Sequence, residues 1–343
     1  MRVLCVRLSS MGDIAQALPL VHDLLGRGHE VGWVVEERFR ELLEALRHPR
    51  FRVLVWKRGV TGLRRLRGRG REYEVCLDFQ GNWKSGLVSR VLGAPSDFGP
   101  AFPDLREKGN ALFHRRRAPR AEGPHVLDRG RALLDAAGLA SSGELPRPPF
   151  LEAPEEVPPQ APAWFLRGEG TPLAVLLGRE GDPRSWPVGE ALSLARTWPG
   201  PSFCLAGPEE RGGRGRDPLL HRVSAPRIPE LLALGAWLRK RGGVAVGPDI
   251  GPTHVLHAAG ATCLFLFGAQ DPRRTCPPGA EALLASEGPE CRPCLRRRCG
   301  HPEGPVCMNR LASAEVSEVL ARLAPRREEA SPSGRVEEGR TGH

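Results

Sequence analysis

Short apolar runs rich in Val, Leu and Cys alternate along the first half of the chain with amphipathic stretches of helical spacing. Residues 3–8, 31–35, 52–55 and 74–77 read as buried strands, and residues 14–25, 36–46 and 83–92 as helices between or after them. Strands alternating with helices predict a doubly wound parallel sheet. A second set follows, with strands at 173–177, 202–205, 244–246 and 262–267 and helices at 188–197 and 229–240. A Gly/Pro-rich loop at 247–252 and a short helix fill the space between the last two strands. Residues 146–162 carry many prolines and three Glu and read as an exposed linker. The tail 325–343 is charged, rich in Ser and Gly, and expected to be disordered. The chain therefore divides into an α/β unit at 1–150, a linker at 151–165, a second α/β unit at 166–325 and a tail at 326–343. Two similar units in tandem predict two facing Rossmann-like domains with a cleft between them.

The loops after the strands carry the candidate chemistry, because ligands approach such sheets at the carboxyl ends of the strands. The first loop reads Leu8-Ser9-Ser10-Met11-Gly12-Asp13. It lacks G-x-G-x-x-G, which disfavours a nicotinamide or flavin role. Ser10-x-x-Asp13 has the spacing of a capping box. The same carboxylate could instead take a proton from an attacking hydroxyl. The loop at 247–252 leads into a helix N-terminus, whose open N–H groups and partial positive charge suit a phosphate.

Charge narrows the partner. The 343 residues carry a net charge of +10, and residues 50–71 hold nine Lys/Arg and no Asp/Glu. A second cluster comprises Arg115, Arg116, Arg117 and Arg120. High-GC codon usage accounts for much of the Arg, Ala, Gly and Pro content, but not for an acid-free run of that length. The balance favours an anionic partner: nucleic acid, a phosphorylated or carboxylated glycan, or an acidic membrane surface. No apolar run reaches membrane-spanning length. The amino terminus enters a strand pattern without a signal-peptide layout, so a cytoplasmic protein with mostly reduced cysteines is expected. Cys291, Cys294, Cys299 and Cys307 form a compact four-thiol array that resembles a structural metal loop; packed free thiols and a redox-sensitive disulfide are the alternatives.

Residues 244–272, VAVGPDIGPTHVLHAAGATCLFLFGAQDP, closely resemble the nucleotide-sugar loop of glycosyltransferase family 9, the lipopolysaccharide heptosyltransferases. That loop reads V-x-x-D-T-G-x-x-H-x-A-A-A-x-G and then L-[FY]-G-x-x-D-P. Asp249, Gly251, His254, Ala258, Gly260, Phe267, Gly268, Asp271 and Pro272 match, and Ile250 stands where the family usually has Thr. The first loop, with Arg7 before it and Ala17-Leu18-Pro19 after it, resembles the family's [KR]-x-S-S-x-G-D…A-L-P. Residues 72–85 resemble Y-D-x-x-[IL]-D-x-Q-G-x-x-K-S, and 178–187 resemble G-x-x-x-x-x-K-x-W-P with Arg184 at the Lys position. Residues 207–210 resemble a G-x-x-x-E turn, and 125–129 a His-x-[VA]-[ED]-R helix start whose His125 reads as structural.

The resemblance spans residues 1 to about 325 and implies a GT-B enzyme that inverts the anomeric centre without a catalytic cofactor or metal. It assigns Asp13 as the general base. Arg184, Glu209, Asp249, Ile250, Gly251 and His254 would bind the donor, typically ADP-heptose. Ser10, Gly12, Gln80 and Lys84, together with Lys57, Arg58, Arg115 and Arg120, which are grouped on charge, would hold an anionic acceptor. The first-loop and Q-G-x-x-K-S forms look more like the heptosyltransferase I branch, whose acceptor is the Kdo sugar of the lipid A core. Peripheral association with the cytoplasmic face of the inner membrane follows. Many members carry a similar Cys-rich segment, which leaves a zinc ion at the four cysteines as the one structural metal expected. Two other readings remain: a family 9 transferase with another nucleotide sugar or cell-surface acceptor, motivated by Ile250 and Arg184, and a non-catalytic basic nucleic-acid-binding protein on a degenerate transferase fold. The acid-free run from 64 to 71 has no aromatic for base stacking, so no nucleic acid is expected.

Overall fold

The computed structural model describes residues 1–140, 143–179, 181–207, 217–223, 227–296 and 298–324. Its first sheet holds β1 (Arg2–Val6), β2 (Glu30–Glu36), β3 (Phe51–Trp56), β4 (Val75–Asp78), β5 (Ser96–Gly99) and β6 (Arg116–Arg117), all parallel, in the order β3-β2-β1-β4-β5-β6. The helices of this unit are α1 (Met11–Gly26), α2 (Arg40–Glu44), α3 (Val60–Leu66), α4 (Trp83–Leu92) and α5 (Val126–Ala136). The second unit opens with α6 (Ala163–Arg167), and its strands are β7 (Leu173–Leu176), β8 (Ser202–Ala206), β9 (Leu220–Arg222), β10 (Val244–Pro248), β11 (Thr262–Phe267) and β12 (Glu281–Leu284). They too are parallel, in the order β12-β11-β10-β7-β8-β9. Its remaining helices are α7 (Val188–Thr197), α8 (Ile228–Lys240), α9 (Gly251–Ala258), α10 (Pro272–Thr275), α11 (Val306–Asn309) and α12 (Ser313–Leu323).

The two sheets share one winding. Chain direction across the sheet reverses between β1 and β4 in the first and between β7 and β10 in the second, and such switch points open the crevices where ligands bind. The strands that flank them are buried along most or all of their length. That is why they read as apolar runs: parallel strands are covered on both faces.

Helices α1 and α9 pack against each other across the two units. One apolar cluster runs through them, from Ile14 and Leu18 to Val255, Leu256 and Phe265. The N-termini of the two helices therefore stand face to face beside the switch points.

Four differences from the sequence reading have local causes. Helix α1 starts at Met11 rather than at residue 14, because Ser10 and Asp13 close its first turn. The stretch 36–46 breaks into a 3₁₀ turn (Glu37–Phe39) and α2. Helix α3 forms inside the acid-free run. There Gly62 lies so close to the Lys57 carbonyl that a Cβ would sit 1.6 Å from its oxygen. Residues 146–162 form no helix or strand, as their prolines dictate, but they are not a freely exposed linker. Phe150 and Leu151 are buried, and their N–H groups donate to the Ala258 carbonyl at 2.8 and 3.2 Å. Glu152 N–H donates to the Ala45 carbonyl at 2.8 Å. The segment straps one unit to the other. The tail expected to be disordered lies outside the described residues. Among the described residues no helix is long and apolar enough to cross a membrane.

Candidate active site

The chain leaves β1, turns through Arg7 to Ser10 and enters α1. Asp13 lies in the first turn and closes the capping box that its spacing predicts. Its Oδ2 accepts from Ser10 N–H at 3.0 Å and from Ser10 Oγ at 2.8 Å, while Oδ1 pairs with the Arg7 guanidinium at 2.8 Å. The side chain nevertheless keeps 38 % of its surface open. Burial alone would raise its pKa. The Arg7 charge and the Ser10 hydrogen bonds outweigh that, and hold the carboxyl below its ordinary range. Asp13 is therefore an anion at neutral pH.

Arg7 also donates to the Phe79 carbonyl, and Gln80 Oε1 accepts from Leu8 N–H at 2.6 Å and Ser9 N–H at 3.3 Å. The turn after β4 thus braces the loop that carries Asp13. Gln80, read from the sequence as an acceptor ligand, is placed as that brace.

On the other side β10 delivers Asp249, which is buried. Its Oδ1 lies 2.7 Å from His254 Nε2, its Oδ2 accepts from Thr275 Oγ1 at 3.0 Å, and its carbonyl accepts from Arg184 at 3.2 Å. Ile250 is the N-cap of α9 and offers no side-chain acceptor, so the first N–H groups of the helix, beginning at Gly251, are left for a ligand. Arg184 comes from the loop after β7, the neighbour of β10. It forks onto Asp182 through Nε at 2.9 Å and a terminal nitrogen at 2.6 Å. Hydrogen bonding to Asp182 stabilises its charge most, and the carboxylates of Asp182, Asp249 and Asp13 add to this.

The two halves touch. A Cβ on Gly12 would meet His254 Cδ2 at 3.1 Å and Gly251 Cα at 3.3 Å. Gln16 of α1 places its amide 3.0 Å from His254 Nε2. Arg7, Gln16, Asp182 and Thr275 were not singled out as ligand-site residues from the sequence. Only Arg7 left a signal there, as the basic residue of the first motif.

The remaining candidates lie further out. Lys57 pairs with Glu37 at 2.6 Å, and Arg58 with Glu36 at 2.9 Å, beyond the end of β3. Two strand spacings put them about 10 Å from β1. Lys84 is exposed in the first turn of α4, next to the Gln80 turn. Arg115 and Arg120 flank β6, the far edge strand, about 14 Å from β1 by the same spacing. The structure does not gather Lys57, Arg58, Arg115 and Arg120 around Asp13. Glu209 lies outside the described residues. His125 is structural: its Nδ1 accepts from Leu127 N–H as the N-cap of α5, and its Nε2 reaches the Cys276 carbonyl at 2.9 Å in the other unit.

In the Cys-rich loop Cys307 is buried, Cys294 half-buried, and Cys291 and Cys299 exposed. Cys299 donates to the Gly304 carbonyl at 3.1 Å. Among the described residues no three His, Cys, Asp or Glu side chains are arranged to hold a metal ion. Cys5, Cys76 and Cys263 are buried in strands, and burial pushes their thiols up, which leaves them unreactive.

Comparison with known proteins agrees with this fold. The family model for glycosyltransferase family 9 (heptosyltransferase) matches residues 63–164. Lipopolysaccharide heptosyltransferase 1 of Pseudomonas aeruginosa is 29% identical, over 94% of this chain and 98% of its own length. Among solved structures, E. coli heptosyltransferase WaaC with ADP-2-deoxy-2-fluoro heptose superposes with a TM-score of 0.64 at 18% identity, covering 94% of this chain and 99% of that one. E. coli ADP-heptose lps heptosyltransferase II gives 0.66 at 17%, covering 94% and 98%. Over residues 63–164 the chain is similar to glycosyltransferase family 9, and along nearly its whole length it is similar to a lipopolysaccharide heptosyltransferase 1.

Proposed function

We propose that this chain transfers a heptose from ADP-heptose to the Kdo sugar of a lipid A core acceptor. The observation that carries the reading is the meeting of a cleft-facing carboxylate, Asp13 on α1, with the uncapped N-terminus of α9 and the Arg184 guanidinium. The relatives name the sugar: they are lipopolysaccharide heptosyltransferases, and WaaC is known with an ADP-heptose analogue.

The first unit would hold the acceptor and the second the donor. Asp13 takes the proton of the acceptor hydroxyl as its oxygen bonds to the anomeric carbon. The bond from that carbon to the β-phosphate oxygen breaks on the opposite face, the configuration inverts, and ADP leaves with the electron pair. Negative charge develops on the diphosphate, where Arg184 and the N–H groups of α9 meet it. Asp249 positions both, through His254 and through its carbonyl contact with Arg184. These groups suffice for the proton and the leaving charge, so the reading routes no step through a metal.

The acceptor side fits an anionic glycolipid at a membrane surface. Val60, Trp83, Phe102 and Leu112 are exposed, and each follows the carboxyl end of β3, β4 or β5, the edge that carries Asp13. Exposed Lys84 and Arg120 follow the carboxyl ends of β4 and β6 on the same side of the sheet. Apolar tips among cations suit an anionic bilayer, which is how the enzyme would sit on the inner membrane. A structural metal at Cys291, Cys294, Cys299 and Cys307 is a separate proposal; elemental analysis decides it, with about one metal per chain expected if the four thiols act as a site.

The deciding experiment is turnover of ADP-heptose with a Kdo-bearing lipid A acceptor by the wild type and Asp13→Asn. A loss of about 10²–10⁴ in kcat with ADP affinity unchanged supports the reading. Wild-type turnover by Asp13→Asn refutes the base.

A further inference from the structure

Beneath the Asp13 loop lies a buried polar cluster that the transfer reaction, as written above, does not use. Asp78 ends β4 with no exposed surface and accepts five hydrogen bonds. Its Oδ1 takes Gln80 N–H at 2.8 Å and Gly81 N–H at 3.1 Å. Its Oδ2 takes Ser85 Oγ at 2.8 Å, Asn110 Nδ2 at 2.7 Å and His114 Nε2 at 3.1 Å. The other nitrogen of His114 lies 3.1 Å from Asp97 Oδ2 at the start of β5. The imidazole is fully buried between the two carboxylates. Two glycines make the room. A Cβ on Gly99 would meet His114 Cδ2 at 2.5 Å, and one on Gly86 would meet Phe113 at 2.7 Å and Asn110 at 2.9 Å.

The cluster connects directly to the base. Asp78 fixes the turn through Phe79, Gln80 and Gly81. From that turn the Phe79 carbonyl holds Arg7, which holds Asp13 Oδ1, and Gln80 holds the N–H groups of Leu8 and Ser9, just ahead of Ser10, which holds Asp13 Oδ2. We infer that His114, bridging Asp78 and Asp97, is a positioning residue for the transfer step: it locks the Gln80 turn, and through that turn both oxygens of the Asp13 carboxylate. The inference rests on the reading of Asp13 as the base.

An imidazole between two carboxylates is held as a cation. Burial would lower its pKa, but the two aspartates outweigh this and raise it to about 9. The groups that face it are Asp78 and Cys76 of β4, Asp97 of β5, and Arg115, whose N–H bonds Asp97 and whose charge helps keep that carboxylate ionised. The Cys76 thiol is pushed up by burial and stays neutral. Loss of the His114 proton leaves one nitrogen without a hydrogen to donate, so one carboxylate loses its bridge. The brace on the Asp13 loop then slackens.

The test uses the full chain, with ADP-heptose and a Kdo-bearing lipid A acceptor, over about pH 6.5–10. The wild type should show an alkaline fall in kcat near pH 9. His114→Gln should lower kcat roughly tenfold at neutral pH, leave the KM for ADP-heptose unchanged, and abolish the alkaline fall. Asp97→Asn, which leaves the imidazole in place, should move that fall about one unit to lower pH. A His114→Gln enzyme with wild-type kcat and a wild-type alkaline limb overturns the inference. If that variant fails to fold, judged by loss of ADP binding, Asp97→Asn decides alone, and an unmoved limb overturns it equally. Asp13→Asn run beside them separates the two readings: its full turnover removes the base and the inference with it, whereas an inactive Asp13→Asn with unmoved limbs removes only the role of His114.

Discussion

Adding one methyl group at Gly12 tests whether the two helix ends stand this close during transfer. Gly12 has helical backbone angles, so alanine fits its conformation. The new Cβ would lie 3.1 Å from His254 Cδ2, against an ordinary contact of 3.4 Å or more, so the units must part by about 0.3 Å. Such overpacking costs about 1 kcal/mol at a single contact, and alanine in place of glycine in a helix returns up to about 1 kcal/mol. The two nearly cancel, so the melting temperature should move by no more than about 2–4 °C. Catalysis has no such compensation. Asp13 is the next residue, and about two decades of rate are lost per ångström of misplacement, so 0.3 Å predicts a kcat about fourfold lower. Gly12→Val wedges the same contact wider and should cost more than tenfold by the same scale. The assay is ADP release in the presence of acceptor, with ADP affinity measured by calorimetry as the check that the second unit is intact. A Gly12→Val enzyme with wild-type kcat and wild-type ADP affinity would refute the reasoning, because the reacting state would then not contain the Gly12–Gly251 contact.

Further outcomes follow from the same geometry. Arg184→Ala should weaken ADP binding by about tenfold or more, the worth of one charge-assisted contact, and Arg184→Lys should recover only part of it because an ammonium cannot fork onto Asp182. His257, buried beside Pro278 where α9 meets α1, is depressed to about 4 by burial. Its folded pKa lies below the unfolded value, so unfolding takes up a proton between about pH 6.5 and 4, and stability falls as pH drops through that window by about 1.4 kcal/mol per unit. His22 is also lowered by burial and adds to the slope, so His257→Gln, followed by urea denaturation at several pH values, should remove about one proton's share and leave the rest.

What the sequence revealed follows from what each feature depends on. Parallel strands covered on both faces are apolar, so β1, β4, β7, β10 and β11 were visible as runs; β5, whose Ser96 and Asp97 break the apolar run, was not, nor were β6, β9 and β12, which are short and only partly buried. The residues of the proposed site were visible because each motif is local: Asp13, Arg184, Asp249, Gly251 and His254 converge from loops that end adjacent strands of the two sheets. Their supports were invisible because each joins distant parts of the chain. Nothing near Gln80 says that its oxygen will cap Leu8 N–H, 72 residues away. Nothing in the proline-rich stretch says that Phe150 will be buried against His22. The four cations Lys57, Arg58, Arg115 and Arg120 were grouped by charge alone, and charge does not encode which strand of the sheet a loop follows.

In the proposed reading, the facing helix ends also explain why the base and the leaving-group site would fall on opposite sides of the cleft. Both α1 and α9 bring the positive end of a helix to the contact at Gly12 and Gly251. On α1 that charge is already met: Asp13 and Ser10 close the first turn, and the carboxylate is drawn further down by Arg7. On α9 it is not met, because Ile250 has no oxygen to offer and Pro252 has no N–H to satisfy. An anion entering the cleft is therefore repelled by Asp13 and attracted by α9 and Arg184, while a neutral hydroxyl is admitted beside Asp13. Ile250, standing where the resembled motif usually has Thr, sharpens this asymmetry: it leaves the backbone donors of α9 without a side-chain competitor.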